Sequence, residues 1–302
     1  MTEDNIVNDV SEFIQRIFEL NKKAIFMRSP SVSSISFYRG QSNSNWGLEP
    51  SLYRNNLLKK EGVLISEFLR VAPQHFENLS YFDTLVKMQH YGLPTRLLDT
   101  TLNPLVALFF ACHGDEQKAQ DGSVYIFPNL PVFRSELNDI SVIMKYVFKY
   151  SGFQLDIDSF TQDVLNSKEC ATSYSRPYKN SSDVLYPLTK VPFYAILPTL
   201  NNARILNQDG SFLLFGMKVN KLIKSTNPGT LGKEYYEFEK INFDNDIEKF
   251  WKPSKLLKIP SNCKGVILEE LEYLGITRNK MFPELEYQAD FITKLIKKEI
   301  KN

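Results

Sequence analysis

Residues 89–111 read QHYGLPTRLLDTTLNPLVALFFA and place Arg96, Asp99, Thr100, Thr101 and Asn103 in a short polar hinge between two apolar segments. Polar groups so placed are costly to bury unless each finds a partner, which makes this hinge the first place to look for chemistry. His90 and Tyr91 stand just before Gly92, in the last turn of a predicted helix, where the macrodipole favours a protonated imidazole. A capping or hydrogen-bonded core histidine is the ordinary alternative to a general base. Upstream, SISFYRG at 34–40 alternates like a strand, so that Arg39 continues the inward face of Ile35 and Phe37. A guanidinium there cannot shed its charge and needs a carboxylate, carbonyls or an anionic ligand. An internal ion pair, for instance to Asp99, competes with an anion-binding role in which Gly40 lets a ligand approach the backbone.

These side chains require elements to hold them. Asp9 to Glu12 forms a capping box for a first helix reaching about Lys23, with Val10, Phe13, Ile14, Ile17 and Phe18 on one face. Gln41 to Arg54 has the composition of a surface loop anchored by Trp46 and Tyr53. A helical pattern from Lys60 to Phe76 breaks at Pro73, and another helix spans Ser80 to Tyr91 with Gly92 as its C′ residue. Asn103 and Pro104 are an N-cap and N1 pair opening an apolar, hence central, helix. Its N-terminus beside Thr100 and Thr101 suits a phosphate or carboxylate, and equally Asp99. Cys112 in that helix reads as a buried, inert thiol.

Strands are expected at 122–127, 191–197, 211–215 and 256–260, with Arg204, Gln208 and Gly210 in the loop before the third. Residues from about 129 to 190 read as a helical insertion. In EYYEFE at 234–239, Glu237 and Glu239 share a face, which serves either acid–base work or a solvated edge strand. Ser261 is placed to cap a helix to Leu274, and 291–300 is amphipathic. Strands and helices mix without a strict βαβ alternation, which predicts an α+β fold with a mixed or antiparallel sheet. The expected layout is an N-terminal helix in 1–30, a domain over 31–290 and a C-terminal helix end at 291–302.

The 302 residues carry a formal net charge of +1 with 24% charged residues. That balance gives no electrostatic footprint for nucleic acid or an anionic membrane. Apolar runs are too short to span a bilayer, and the acidic, polar beginning MTEDNIVNDV has no signal-peptide pattern. Three scattered cysteines, Cys112, Cys170 and Cys263, fit a reducing cytoplasm better than a disulfide framework. Few histidines and cysteines argue against a metal site.

With these motifs in view, the chain resembles the FRG-domain family. The resemblance rests on Phe37-Tyr38-Arg39-Gly40, on WGLEPSLYR at 46–54, on QHYGLPTRLLD at 89–99 and on NPLVALFFA at 103–111. It extends through Arg204-Ile205, Gln208 to Phe212, Ile259-Pro260, Lys264 and Phe282-Pro283. Thr100 departs from the tryptophan the motif leads one to expect, which implies a less aromatic pocket. A looser similarity, an aromatic-Arg-Gly strand followed by a Ser/Thr-rich strand running into an apolar helix, is to mono-ADP-ribosyltransferases. It implies an ADP-ribosyltransferase-like sheet core and NAD as substrate, transferred to a macromolecule or hydrolysed, as in a prokaryotic toxin or anti-phage effector. By position it gives Arg39 the dinucleotide and Thr100 or Thr101 the pocket wall. Gly40, Gln41, His90, Tyr91, Arg96, Asp99 and Arg204 complete the expected nucleotide-binding set. The late glutamate of such enzymes has no clear counterpart: Gln208 occupies its place and Glu237 and Glu239 follow later, so either a variant residue serves or the domain only binds a nucleotide or a protein partner.

Overall fold

The computed structural model describes residues 5–25, 34–114, 118–134, 138–151, 154–167, 178–226, 228–241 and 255–285, with 287–289, 292–293 and 296 beyond them. The expected helix at 291–300 lies almost wholly outside the described residues.

Among the described residues six strands form the main sheet: β1 (Ser34–Gln41), β2 (Leu97–Thr101), β3 (Gly122–Phe133), β5 (Phe193–Ile196), β6 (Gly210–Phe215) and β9 (Lys255–Ile259). Their order is β1-β2-β6-β5-β3-β9, and because β1 also pairs with β3, five of them close into a ring with β9 alongside β3. The β3–β5 pairing is parallel and the others are antiparallel. The molecule is thus α+β with a mixed sheet, as its patterning implies.

Period-two alternation decides what fills the ring. Phe37, Leu98, Phe127, Phe193, Leu213 and Phe215 point inside and form one buried cluster, while their neighbours point outward into two other clusters. On one side α1 (Val10–Ile25), α4 (Pro104–Cys112) and α9 (Lys264–Tyr273) cover Tyr38, Val124, Ile126, Leu257 and Ile259. On the other, α2 (Glu61–Val71), α3 (Tyr81–His90), α5 (Asn138–Lys145), α6 (Ile157–Leu165) and α7 (Ser181–Thr189) cover Leu97, Tyr194, Phe212 and Leu214. Both outward faces are therefore apolar, which is why these strands lack the polar alternation of a solvated sheet.

Local signals set several boundaries. Asp9 accepts the Glu12 N–H at 2.7 Å, and Glu12 reaches back to the Asn8 N–H at 3.0 Å. Phe18, expected on the packed face of α1, is 63% exposed. Ser80 caps α3, accepting the Asp83 N–H at 3.0 Å. At its far end Gly92 has φ +87° and the Leu93 N–H returns to the Met88 carbonyl at 3.0 Å, the 6→1 bond of a Schellman motif. Asn103 caps α4 through the Leu105 N–H at 3.0 Å, and α2 stops at Val71 ahead of Pro73.

The insertion departs from an all-helical reading. β3 continues to Phe133, and a short strand β4 (Gln154–Asp156) pairs with β8 (Glu234–Glu239), which also pairs with β7 (Lys218–Lys224). β8 is therefore the middle strand of a three-stranded sheet, not the edge strand its carboxylates suggest. The loop expected before β6 contains a short helix, α8 (Ala203–Asn207), capped by Asn202, which accepts the Arg204 N–H at 2.7 Å. A short helix α10 (Arg278–Met281) follows α9, and the described residues 285, 287–289, 292–293 and 296 are helical as well. Ser261 does not cap α9; its N–H is donated instead to Asp121 Oδ1 at 2.9 Å.

Candidate functional site

A cleft of about 490 Å³ opens in the seam where the two helical layers part, a volume in the range of small-ligand sites. Tyr38 and Phe110 line it from one layer, Val86 from the other, and Phe212 of β6 forms part of the floor. The rest of the wall comes from β1, β2, the second half of α3 and the segment around α8.

The seam exists because β1 and β2 share only one residue pair, Tyr38 with Thr101, and then separate. Arg39 spans the gap: its Nη1 donates to the Asp99 carbonyl at 2.6 Å. The residue is part-exposed, yet its Nε is enclosed and has no hydrogen-bond partner. Burial lowers the guanidinium pKa from its usual value, with Asp99 opposing and Arg54 adding to the effect. The ion pair with Asp99 that the sequence leaves open does not form. Asp99 instead accepts Gln89 Nε2 at 2.7 Å on its carboxylate, and Gln89 is itself held by the Thr95 hydroxyl.

Thr100 and Thr101 stand at the cleft with their hydroxyls engaged, Thr100 with Ser211 at 2.8 Å and Thr101 with the Gln208 carbonyl at 2.6 Å. Gln208 lines the cleft while donating Nε2 to the Met281 carbonyl at 2.8 Å. His90 and Tyr91 lie on the α3 side with their rings in edge contact at 5.2 Å. Arg204 faces them from α8, over the Phe282 ring at 5.1 Å and 3.5 Å from Glu284. Glu284 also lies 3.9 Å from His90 Nε2, and its Oε2 is enclosed without a partner. The charged residues lining the cleft include the cations Arg39, Lys87 and Arg204 and the carboxylates Asp83 and Asp99.

Several expected site residues are elsewhere. Arg96 is fully buried, with Nε donating to Glu61 Oε1 at 2.7 Å, a second bond from Nη2 to Glu61 Oε2, and Nη1 on the Phe215 carbonyl at 3.1 Å. Lying just before β2, it ties α2 to the ring and does not reach the cleft, its charge being met by the Glu61 carboxylate. Gln41 is buried away from the lining with Nε2 3.4 Å from the Gly47 carbonyl. Glu237 and Glu239 sit in the three-stranded sheet, opposite Lys221 and Lys218 respectively, and so do not join the cleft. Gly40 borders the cleft, but the space a side chain would take is filled by the α4 backbone at Ala107 and Ala111 rather than left for a ligand. The α4 N-terminus opens toward α1 and is satisfied by Asn103, so it offers the cleft no anion site. Among the described residues no group of three or more His, Cys, Asp or Glu is placed to hold a metal, and no helix is long and apolar enough to cross a membrane.

Lys87 and Asn202 line the cleft outside any motif singled out in the sequence, Tyr38, Phe110 and Ser211 line it from within the family motifs without having been named as site residues, and Glu284 stands behind it. Glu284 had at most its position after Phe282-Pro283 as a signal. The others lie on elements read correctly for their packing, whose meeting at one seam is a matter of sheet closure. Residues 34–120 match the family model of the FRG domain. No curated protein and no solved structure matches the chain.

Proposed function

For a chain that carries an FRG domain at residues 34–120, we propose that the cleft binds a nucleotide, that its substrate is NAD, and that the chemistry is ADP-ribose transfer to a macromolecule or hydrolysis of NAD. One observation carries the reading: Arg39 presents a guanidinium at a ligand-sized cleft with Nε enclosed and unpartnered, a donor that an anionic group would satisfy. Tyr38, Tyr91, Phe110 and Phe212 give the same cleft aromatic surface for flat rings. Departure of nicotinamide leaves positive charge on the sugar, which a fixed carboxylate stabilises. Asp99, oriented by Gln89 beside Arg39, is the cleft carboxylate suited to that role.

The second reading is a binding module without catalysis. It is favoured by the identity of Gln208, an amide already committed to the Met281 carbonyl at the place where a glutamate was sought.

The test is release of nicotinamide from NAD by the purified protein and by Arg39→Ala and Asp99→Asn, each checked for folding by circular dichroism. The expected result is release that disappears in a folded Arg39→Ala and falls by ~100-fold or more in Asp99→Asn, the loss typical of removing one preorganised electrostatic group. Absence of release together with no NAD-dependent rise in Tm overturns the enzyme reading. A rise in Tm without release leaves the binding module.

A further inference from the structure

Arg39 and Arg204 reach the same cleft from different walls, one on β1 and the other on α8. An arginine on a five-residue helix at the surface would ordinarily sample many rotamers, and ordering it costs entropy. Arg204 is held on two sides instead. Its guanidinium lies over the Phe282 ring at 5.1 Å, and Nη1 is 3.5 Å from Glu284 Oε1. The segment supplying both groups is fixed in turn, because the Lys280 and Met281 carbonyls accept Asn207 Nδ2 and Gln208 Nε2, each at 2.8 Å. Glu284 does not line the cleft itself; the same Oε1 that meets Arg204 also lies 3.9 Å from His90 Nε2.

We propose that Glu284 and Phe282 are positioning residues that hold Arg204 as a second anion-binding arm, so that the cleft selects ligands carrying a diphosphate over those carrying one phosphate. The inference rests on the nucleotide reading of the cleft and adds to it the residues that hold the second phosphate. A guanidinium fixed by ring stacking and one carboxylate oxygen keeps most of its five N–H donors for a ligand and is already oriented for it. One such cation satisfies one phosphate. Two of them on different walls of a cleft of about 490 Å³ favour a ligand whose two phosphates are bonded to each other, since binding the second then costs little further freedom.

Calorimetric titration with ADP, AMP and inorganic pyrophosphate tests this, on the wild-type chain and on Arg204→Ala, Glu284→Gln and Phe282→Leu, all with melting curves to check folding. ADP is expected to bind about tenfold or more tighter than AMP, the value of one charge-assisted contact. Arg204→Ala removes that preference by weakening ADP more than AMP. Glu284→Gln and Phe282→Leu reduce the preference without abolishing binding, which loss of general stability would not do selectively. Arg39→Ala weakens both nucleotides. Equal affinity for ADP and AMP in the wild-type protein, or a preference unaltered in folded Arg204→Ala, overturns the proposal. Pyrophosphate binding that depends on Arg204 and Glu284, with neither nucleotide bound, would sustain the diphosphate arm and instead overturn the nucleotide reading.

Discussion

At the scale of single residues, Arg39 and Arg96 show how the same side chain acquires opposite roles. Arg96 meets Glu61 through paired bonds in a fully buried setting, whereas Arg39 has one carbonyl and an enclosed, unpartnered Nε. Arg39→Ala should therefore change stability by about 1 kcal/mol or less, the net value of a single hydrogen bond, while ligand binding is lost; chemical denaturation beside calorimetry separates the two. Arg39→Lys should not restore binding, because an ammonium has no second donor to place at the Nε position. Cys112 gives a different check. Burial pushes its thiol up to about 12, with Lys264 opposing in part, so at pH 8 it is expected to resist alkylation in the native protein and to react on unfolding. Peptide mapping by mass spectrometry after iodoacetamide treatment reads that directly.

Elements show where the sequence commits to close contact. Gly40 lies under the α4 backbone, and a Cβ there would overlap the Ala107 carbonyl. Gly40→Ala is therefore expected to cost about 1–3 kcal/mol or more by displacing α4 from β1, measurable as a lower denaturation midpoint. The Arg96–Glu61 pair joins the residue just before β2 to the start of α2. Arg96→Met leaves the Glu61 carboxylate buried without its cation and should cost about 3–5 kcal/mol, whereas changing both residues to apolar ones should cost less. At the start of β3, Asp121 accepts the Ser261 N–H and lies 3.1 Å from Lys258, and these contacts, the backbone bond first, hold its carboxyl below the usual value. A lowered folded pKa stabilises the fold above about pH 4 and loses that contribution as pH falls through the lowered value. Asp121→Asn should flatten stability against pH below about 4 and lower it at neutral pH.

For the whole molecule the governing fact is that the ring closes across long sequence distance. β2 pairs with β6, and β3 joins β1, β5 and β9. A fragment limited to the matched residues 34–120 stops before β3 begins at Gly122. It would leave β1 without its pairing from Ser34 to Gln41 and the ring interior open. Such a fragment is expected to be unfolded by circular dichroism and unable to bind NAD. The cleft is composite in the same sense, with Arg39, His90 and Asp99 from the matched block and Arg204, Gln208 and Phe212 from beyond it.

The capping residues, the Gly92 stop, the alternation of Phe37 and Arg39 and the apolar run of α4 are local signals, so the sequence alone determined those elements and the α+β class. Arg39, His90, Tyr91, Asp99, Thr100, Thr101, Arg204 and Gln208 were also legible as candidates, and all of them reach the cleft. Arg96, Gln41, Glu237 and Glu239 were equally good candidates by type and spacing. Only the tertiary structure placed them away from this cleft, because whether a charge meets a partner or a ligand depends on what a distant element brings to it: Glu61 to Arg96, Lys218 of β7 to Glu239 of β8. The same dependence hid Glu284, whose meaning rests on α8 and α3 meeting it from far away in the chain.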